Sequence, residues 1–150
     1  MTVATALSRA AYTFVLTLAV AGAAQALDIG QVKVSKGDVA IERGGQTVSG
    51  AVGARVQTAD VIKTGTDGSV GITMSDNSLL SAGPNSVLSL DRYAFDSTTN
   101  QGQFDSSLRK GSLSVVSGRI AKQSPDAMTV RTPTAILGVR GTEFAVSVDQ

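Results

Sequence analysis

The stretch Val130-Arg131-Thr132-Pro133-Thr134-Ala135-Ile136-Leu137-Gly138-Val139-Arg140-Gly141-Thr142-Glu143-Phe144 decides how this chain is read. β-Branched residues dominate it, while a proline and two glycines interrupt it. Apolar and polar side chains alternate only in parts, so one continuous strand does not account for it. Two short strands do, joined by a bend near Thr132 and Pro133, with a second interruption from Gly138 to Gly141.

The same pattern extends back along the chain. Short β-type runs recur at Val32 to Val34, Val39 to Ile41, Val61-Ile62, Val70 to Met74, Leu79 to Ala82 and Val87 to Leu90. They resume at Leu113 to Val116, Met128 to Val130, Ile136 to Val139 and Phe144 to Val148. No long segment carries apolar residues at helical spacing. Turn-forming residues separate the runs: Arg43-Gly44-Gly45-Gln46, Thr66-Asp67-Gly68-Ser69, Ser75-Asp76-Asn77-Ser78 and Gly83-Pro84-Asn85. Asp-Gly and Asp-Asn tolerate the positive φ angles that tight turns require.

This predicts an all-β domain of short strands. A turn about every ten residues from Asp60 to Leu90 suits a β-solenoid and equally a two-sheet β-sandwich. Periodicity does not separate the two, and the scarcity of aromatic residues tilts toward the thinner solenoid core. Asp96 to Ser107 is polar apart from Phe104 and predicts an exposed loop or the tip of a long hairpin. Ala121 to Asp126 predicts a second exposed connection.

Arg9 opens an uncharged run that passes through Phe14, Val15, Leu16, Leu18 and Val20 and ends in Ala24-Gln25-Ala26. A positive start, an apolar middle and a small-x-small end describe a Sec-type secretory signal peptide, removed after Ala26. The expected organisation is a signal peptide over residues 1–26 and one all-β domain over 27–150. The expected location is periplasmic or secreted, with no stable membrane anchor after processing.

Removing Arg9 leaves 12 basic and 12 acidic residues, 13 minus 1 against 12, so the processed chain is about neutral. Neither a nucleic-acid footprint nor a membrane-surface patch is present. Histidine, cysteine and tryptophan are absent. That removes the commonest general base, the disulfide route to stability and the best sugar-stacking ring.

Candidate chemistry is correspondingly thin. Arg140 and Glu143 offer a cation and an acid, but no second catalytic group accompanies them, so Arg140 is read as a structural fork onto carbonyls or a carboxylate. Gly138 and Gly141 are read as relieving a backbone constraint around it. Asp60, Asp67, Asp76 and Asp91 match no calcium-loop spacing and are read as turn formers. Tyr93 and Phe95 share one strand face and are read as core. The sequence therefore predicts no catalytic residue, no metal and no cofactor.

Thr132, Pro133, Gly138, Arg140, Gly141, Thr142, Glu143 and Phe144 together resemble the signature of the FecR domain, the periplasmic part of transmembrane signalling regulators. Other segments resemble it too: Lys36-Gly37-Asp38-Val39, Ala59-Asp60-Val61-Ile62-Lys63-Thr64-Gly65, Ser75-Asp76-Asn77-Ser78-Leu79 and Leu108-Arg109-Lys110-Gly111-Ser112-Leu113. The similarity spans about Val34 to Val148. Asn77 stands where the family pattern has glycine, a place that asparagine can fill in the left-handed conformation. The resemblance implies a non-catalytic protein-binding module in envelope signalling or scaffolding, with an envelope protein as partner; the alternating segment Phe144 to Val148 is read as an open strand edge that pairs with that partner or, instead, with a second copy of the chain. The resemblance also implies further strands after Phe144 to Val148, and signature residues that are structural. A signal peptide replaces the family's cytoplasmic region, so no sigma-factor role carries over. The alternative function is a carbohydrate- or peptidoglycan-associated module.

Overall fold

The computed structural model describes residues 26–140 and 143–149. The signal-peptide reading falls almost wholly on residues outside this range, as do Gly141 and Thr142. Twelve strands form one curled sheet, with little helix among the described residues. They are β1 (Asp28–Lys36), β2 (Val39–Arg43), β3 (Gln46–Ser49), β4 (Arg55–Gln57), β5 (Val61–Thr64) and β6 (Ser69–Met74). Then follow β7 (Leu79–Ala82), β8 (Val87–Phe95), β9 (Gly102–Val116), β10 (Met128–Arg131), β11 (Ile136–Gly138) and β12 (Glu143–Val148). The all-β expectation holds.

β9 organises the sheet. Its first half pairs with β8 on one side and β10 on the other; its second half pairs with β7 and β12. The strand path runs β3-β2-β5-β8-β9-β7-β6-β1-β4. Both halves of the curl close on one core. Ile41, Ile62, Leu88, Leu90, Phe104 and Leu108 come from one half, and Val32, Ile72, Met74, Leu80, Leu113 and Val115 from the other. Apart from the parallel β9–β10 pair, the pairings are antiparallel. The result is one curled, mainly antiparallel sheet of short strands.

A strand that serves both halves must change which face it turns inward. Phe104, Ser106 and Leu108 point inward at even positions, whereas Leu113 and Val115 do so at odd ones. The change of phase needs one extra residue. Leu88 pairs with Leu108 and Val87 with Lys110, so Arg109 is the extra residue of a bulge. Gly111 follows at φ +90°, where an added Cβ would run into Ser86. A second bulge places Asp91 opposite the Ser106/Asp105 step and turns Tyr93 and Phe95 toward the core. The core reading of these two rings holds, and Tyr93 meets Phe104 edge-on at 5.2 Å.

The turns form where the sequence placed them. Asn77 has φ +68°, so asparagine does fill the left-handed position of the β6–β7 turn. The exposed-loop reading of Asp96 to Ser107 needs correction. Only 96–101 is the hairpin tip; Gly102 onward is strand, with Phe104 and Ser106 buried. Gln103, Asp105 and Ser107 alternate with an inner face that carries Phe104, Ser106 and Leu108, so the strand reads as polar. The connection after β9 also differs from expectation. It holds a short helix, α1 (Arg119–Gln123), which buries Ile120 and Ala121, followed by a 3-10 turn at Pro125–Ala127.

Two buried carboxylates fasten the corners. Asp60, fully buried, accepts from Arg43 Nε at 2.8 Å, Arg43 Nη2 at 2.6 Å and the Gln57 N–H at 2.8 Å. Asp76, also fully buried, accepts from the Ser78 N–H and hydroxyl, the Tyr93 hydroxyl and the Ile120 N–H. Asp76 thereby ties the β6–β7 turn, β8 and the start of α1 together. The turn-forming reading is right for the backbone of both residues and misses what their carboxylates hold.

Candidate functional site

The deciding stretch of sequence forms two neighbouring elements. Met128–Arg131 and Ile136–Gly138 pair as a hairpin, β10–β11. Its turn is closed by Thr132, whose N–H donates to the Ala135 carbonyl at 2.8 Å. The Thr132 hydroxyl accepts from the Ala135 N–H at 3.1 Å. Pro133 sits second in this turn, where its fixed φ suits the bend and no donor is lost. The predicted bend is therefore present. Val139 continues the ladder by donating to the Met128 carbonyl, and its buried side chain anchors the hairpin.

Arg140 pairs with Asp126 at 2.9 Å, and both side chains are largely exposed. It is a single solvent-facing ion pair with a carboxylate, so its stabilising value is small. Gly138 has no positive φ, and a Cβ built there meets nothing within 4 Å. The expected backbone constraint at Gly138 is absent. Glu143 and Phe144 begin β12, which lies antiparallel to the second half of β9 from Glu143↔Val116 to Val148↔Gly111. The last strand thus has one paired edge, and no described strand covers the other.

Among the described residues, four strands end the sheet pairings: β3, β4, β11 and β12. They differ in kind. β4 and β11 have three residues each, and β3 has four, all exposed. β12 has six residues in an unbroken register, with Phe144, Val146 and Val148 half-buried against the core and Ala145 and Ser147 outward. Short length, bulges, proline and lysine are the usual protections of a strand edge, and β12 carries none of them.

Grooves flank β12 on both faces. One, of about 470 Å³, lies between the Thr132–Ala135 turn with Leu137 and the strand residues Val146 to Asp149. The other, of about 270 Å³, runs over Ser81, Ser112, Ser114, Ala145 and Ser147. Ile136, at 66 % exposure, extends the apolar surface of the hairpin beside them. A third groove, of about 470 Å³, lies elsewhere, against Leu27, Ile29, Tyr93 and Phe95. There the Tyr93 hydroxyl has its pKa raised, first by burial and then by the Asp76 charge.

Sequence reasoning named β12 as a candidate edge but did not foresee the hairpin wall beside it. That wall depends on β9 holding β10 and β12 in succession along one side, a pairing between distant residues. Among the described residues no group of three or more His, Cys, Asp or Glu side chains is placed to hold a metal. No described helix is long and apolar enough to cross a membrane.

The family model described as FecR protein matches residues 60–150. The chain belongs to the FecR family. The match covers more than half of the chain and includes β5 to β12, with both bulges and the whole β10–β12 region. The resemblance around Lys36 to Val39 lies before it. FecR membership implies a general role in cell-envelope signalling; the family is regulatory in character and works on the periplasmic side. No curated protein and no solved structure matches the chain significantly.

Proposed function

We propose that this FecR domain is exported by removal of residues 1–26 and works as a non-catalytic protein-binding module in envelope signalling or scaffolding. The carrying observation is the outer edge of β12: six residues, regular register, apolar alternation, and no described strand paired with it. Such an edge offers main-chain donors and acceptors in a row, which a second protein satisfies by adding a strand. The signature residues serve this reading structurally, with Thr132 and Pro133 shaping the turn and Glu143 and Phe144 starting the strand.

The alternative, a carbohydrate- or peptidoglycan-associated module, calls for aromatic rings presented on a surface. Among the described residues, Tyr93, Phe95 and Phe144 are half-buried and Phe104 is buried. That favours a protein partner. Photo-crosslinkers placed at Ala145 and Ser147 in living cells test the reading, with Gln103 on the far part of β9 as control. The expected result is one discrete envelope protein joined from β12 and not from Gln103. Labelling only of peptidoglycan fragments, or no discrete product, overturns the proposal.

A further inference from the structure

Resting on the protein-binding reading, we infer that the β12 edge selects an extended partner segment with alternating apolar residues and basic residues at both ends. The selectivity follows from charge at the limits of the edge. Phe144 to Val148 carries no charge, and Glu143 stands at one end with Asp149 immediately beyond the other. Both acids are exposed, and neither has an ion-pair partner among the described residues. A strand laid along β12 therefore meets an apolar centre and a carboxylate at each end.

The same placement discriminates against a second copy of this chain. An antiparallel β12–β12 pair centred on Val146, the register that keeps like faces together, sets Glu143 directly opposite Asp149 of the other copy. This happens at both ends of the pair. Directly opposed or adjacent like charges on a sheet disfavour pairing. A lysine or arginine at each end of a foreign strand reverses the sign of that term. The two flanking grooves supply the rest of the selectivity, because successive side chains of an added strand point to opposite faces. One set meets Leu137, Val146 and Val148; the other lies over Ala145 and Ser147. The first set is thus expected to be aliphatic and the second small or polar.

Synthetic peptides test this on the protein purified in its exported form. The probe is Lys-Val-Thr-Val-Thr-Val-Lys, compared with the same peptide carrying glutamate at both ends and with a backbone N-methylated version. Binding is followed by amide chemical shifts and by fluorescence anisotropy at low salt. The lysine-flanked peptide is expected to bind at least about tenfold more tightly than the glutamate-flanked one, with a preference that shrinks as salt rises. Shifts should concentrate on β12, and N-methylation should abolish them.

The double variant E143K/D149K changes two exposed side chains and should reverse the preference. Failure of both peptides, shifts centred away from β12, or an unchanged preference in the double variant overturns the inference. So does a parent dimer joined through β12 in light scattering. If the crosslinks from Ala145 and Ser147 to an envelope protein persist while the peptides fail, the protein-binding reading stands and this one falls.

Discussion

Arg43 grips the fully buried carboxylate of Asp60 with two parallel hydrogen bonds, Nε to Oδ1 at 2.8 Å and Nη2 to Oδ2 at 2.6 Å. A further Nη2 bond reaches the Arg55 carbonyl at 2.9 Å, so one guanidinium joins β2, β4 and the turn before β5. The pairing raises the Arg43 pKa above its ordinary value, with the Asp60 hydrogen bond as the main cause and desolvation acting against it. Arg43→Ala would leave a buried carboxylate with only the Gln57 N–H. Because the arginine itself is about one-third exposed, solvent recovers part of the loss; we expect a cost of about 2–3 kcal/mol. Arg43→Lys should recover only part, since an ammonium cannot fork. Urea midpoints of the three proteins check both statements.

Tyr93 gives the domain an alkaline limit. Its hydroxyl donates to Asp76 Oδ1 at 3.1 Å and accepts from the Asp76 N–H at 2.8 Å. Burial and the Asp76 charge raise its pKa above that of an unfolded tyrosine, near 10. The folded state therefore keeps a proton that the unfolded state loses. Stability from this source is complete below about pH 10 and is lost as pH rises toward the folded value. Tyr93→Phe should flatten that loss while costing about 1–2 kcal/mol at neutral pH, because the Asp76 contacts disappear. Tyr93 is the sole tyrosine after residue 26, so ultraviolet titration of the processed protein reports it directly. A normal titration near pH 10 in the folded protein would contradict the prediction.

Ala59 sits at φ +72° in the turn that presents Asp60, a conformation that costs an L-residue its Cβ clearance. Its N–H donates to the Leu90 carbonyl at 2.7 Å, which holds the strained geometry in place. Ala59 is exposed, so removing its methyl group loses little packing. Ala59→Gly should stabilise the domain by about 0.5–1 kcal/mol, the relief of strain exceeding the extra entropy of the unfolded glycine. Thermal and urea unfolding of the pair should agree in sign.

These cases show what a linear reading reaches. Turn chemistry is local, so the Asn77 turn, the Thr132–Pro133 bend and the strand runs were legible. Bulges are also short, but their consequence is a change of inward face along a strand. That is why Gly102 to Ser107 reads as loop when only its serines and polar ends are weighed. Asp60 and Asp76 read as turn residues because their partners, Arg43 and Ile120, lie 17 and 44 positions away. The edge character of β12 was legible from Phe144 to Val148. The groove wall formed by Leu137 was not, because β9 alone brings the two elements side by side.

Ser106 points into the core between Leu90 of β8 and Val130 of β10, and its hydroxyl has no hydrogen-bond partner among the described residues. It is 1 % exposed, so water does not replace the missing partner at the surface. An unsatisfied buried hydroxyl costs free energy that a methyl group does not. Ser106→Ala should therefore be neutral or stabilising by up to about 1 kcal/mol. A clear loss of stability in chemical denaturation would show that the hydroxyl has a partner in solution.

Gly111 and Gly138 should respond in opposite ways to the same substitution. Gly111 follows the β9 bulge at φ +90°, and a Cβ there would collide with the backbone and side chain of Ser86. Ser86 cannot retreat cheaply. It accepts from the Ser112 N–H at 3.0 Å, and its own N–H donates to Thr64 Oγ1 at 2.9 Å. Gly111→Ala must therefore break the strain-free backbone and the polar link between the sheet halves together, at an expected cost of about 2–4 kcal/mol. Gly138 lies in the outer strand of a hairpin, without positive φ and with open space where its Cβ would stand. Gly138→Ala should shift stability by less than about 0.5 kcal/mol, as an unconstrained surface site does. Denaturation midpoints measured side by side decide the matter. A Gly138→Ala variant as damaged as Gly111→Ala would place the critical constraint in the family signature rather than at the β9 corner.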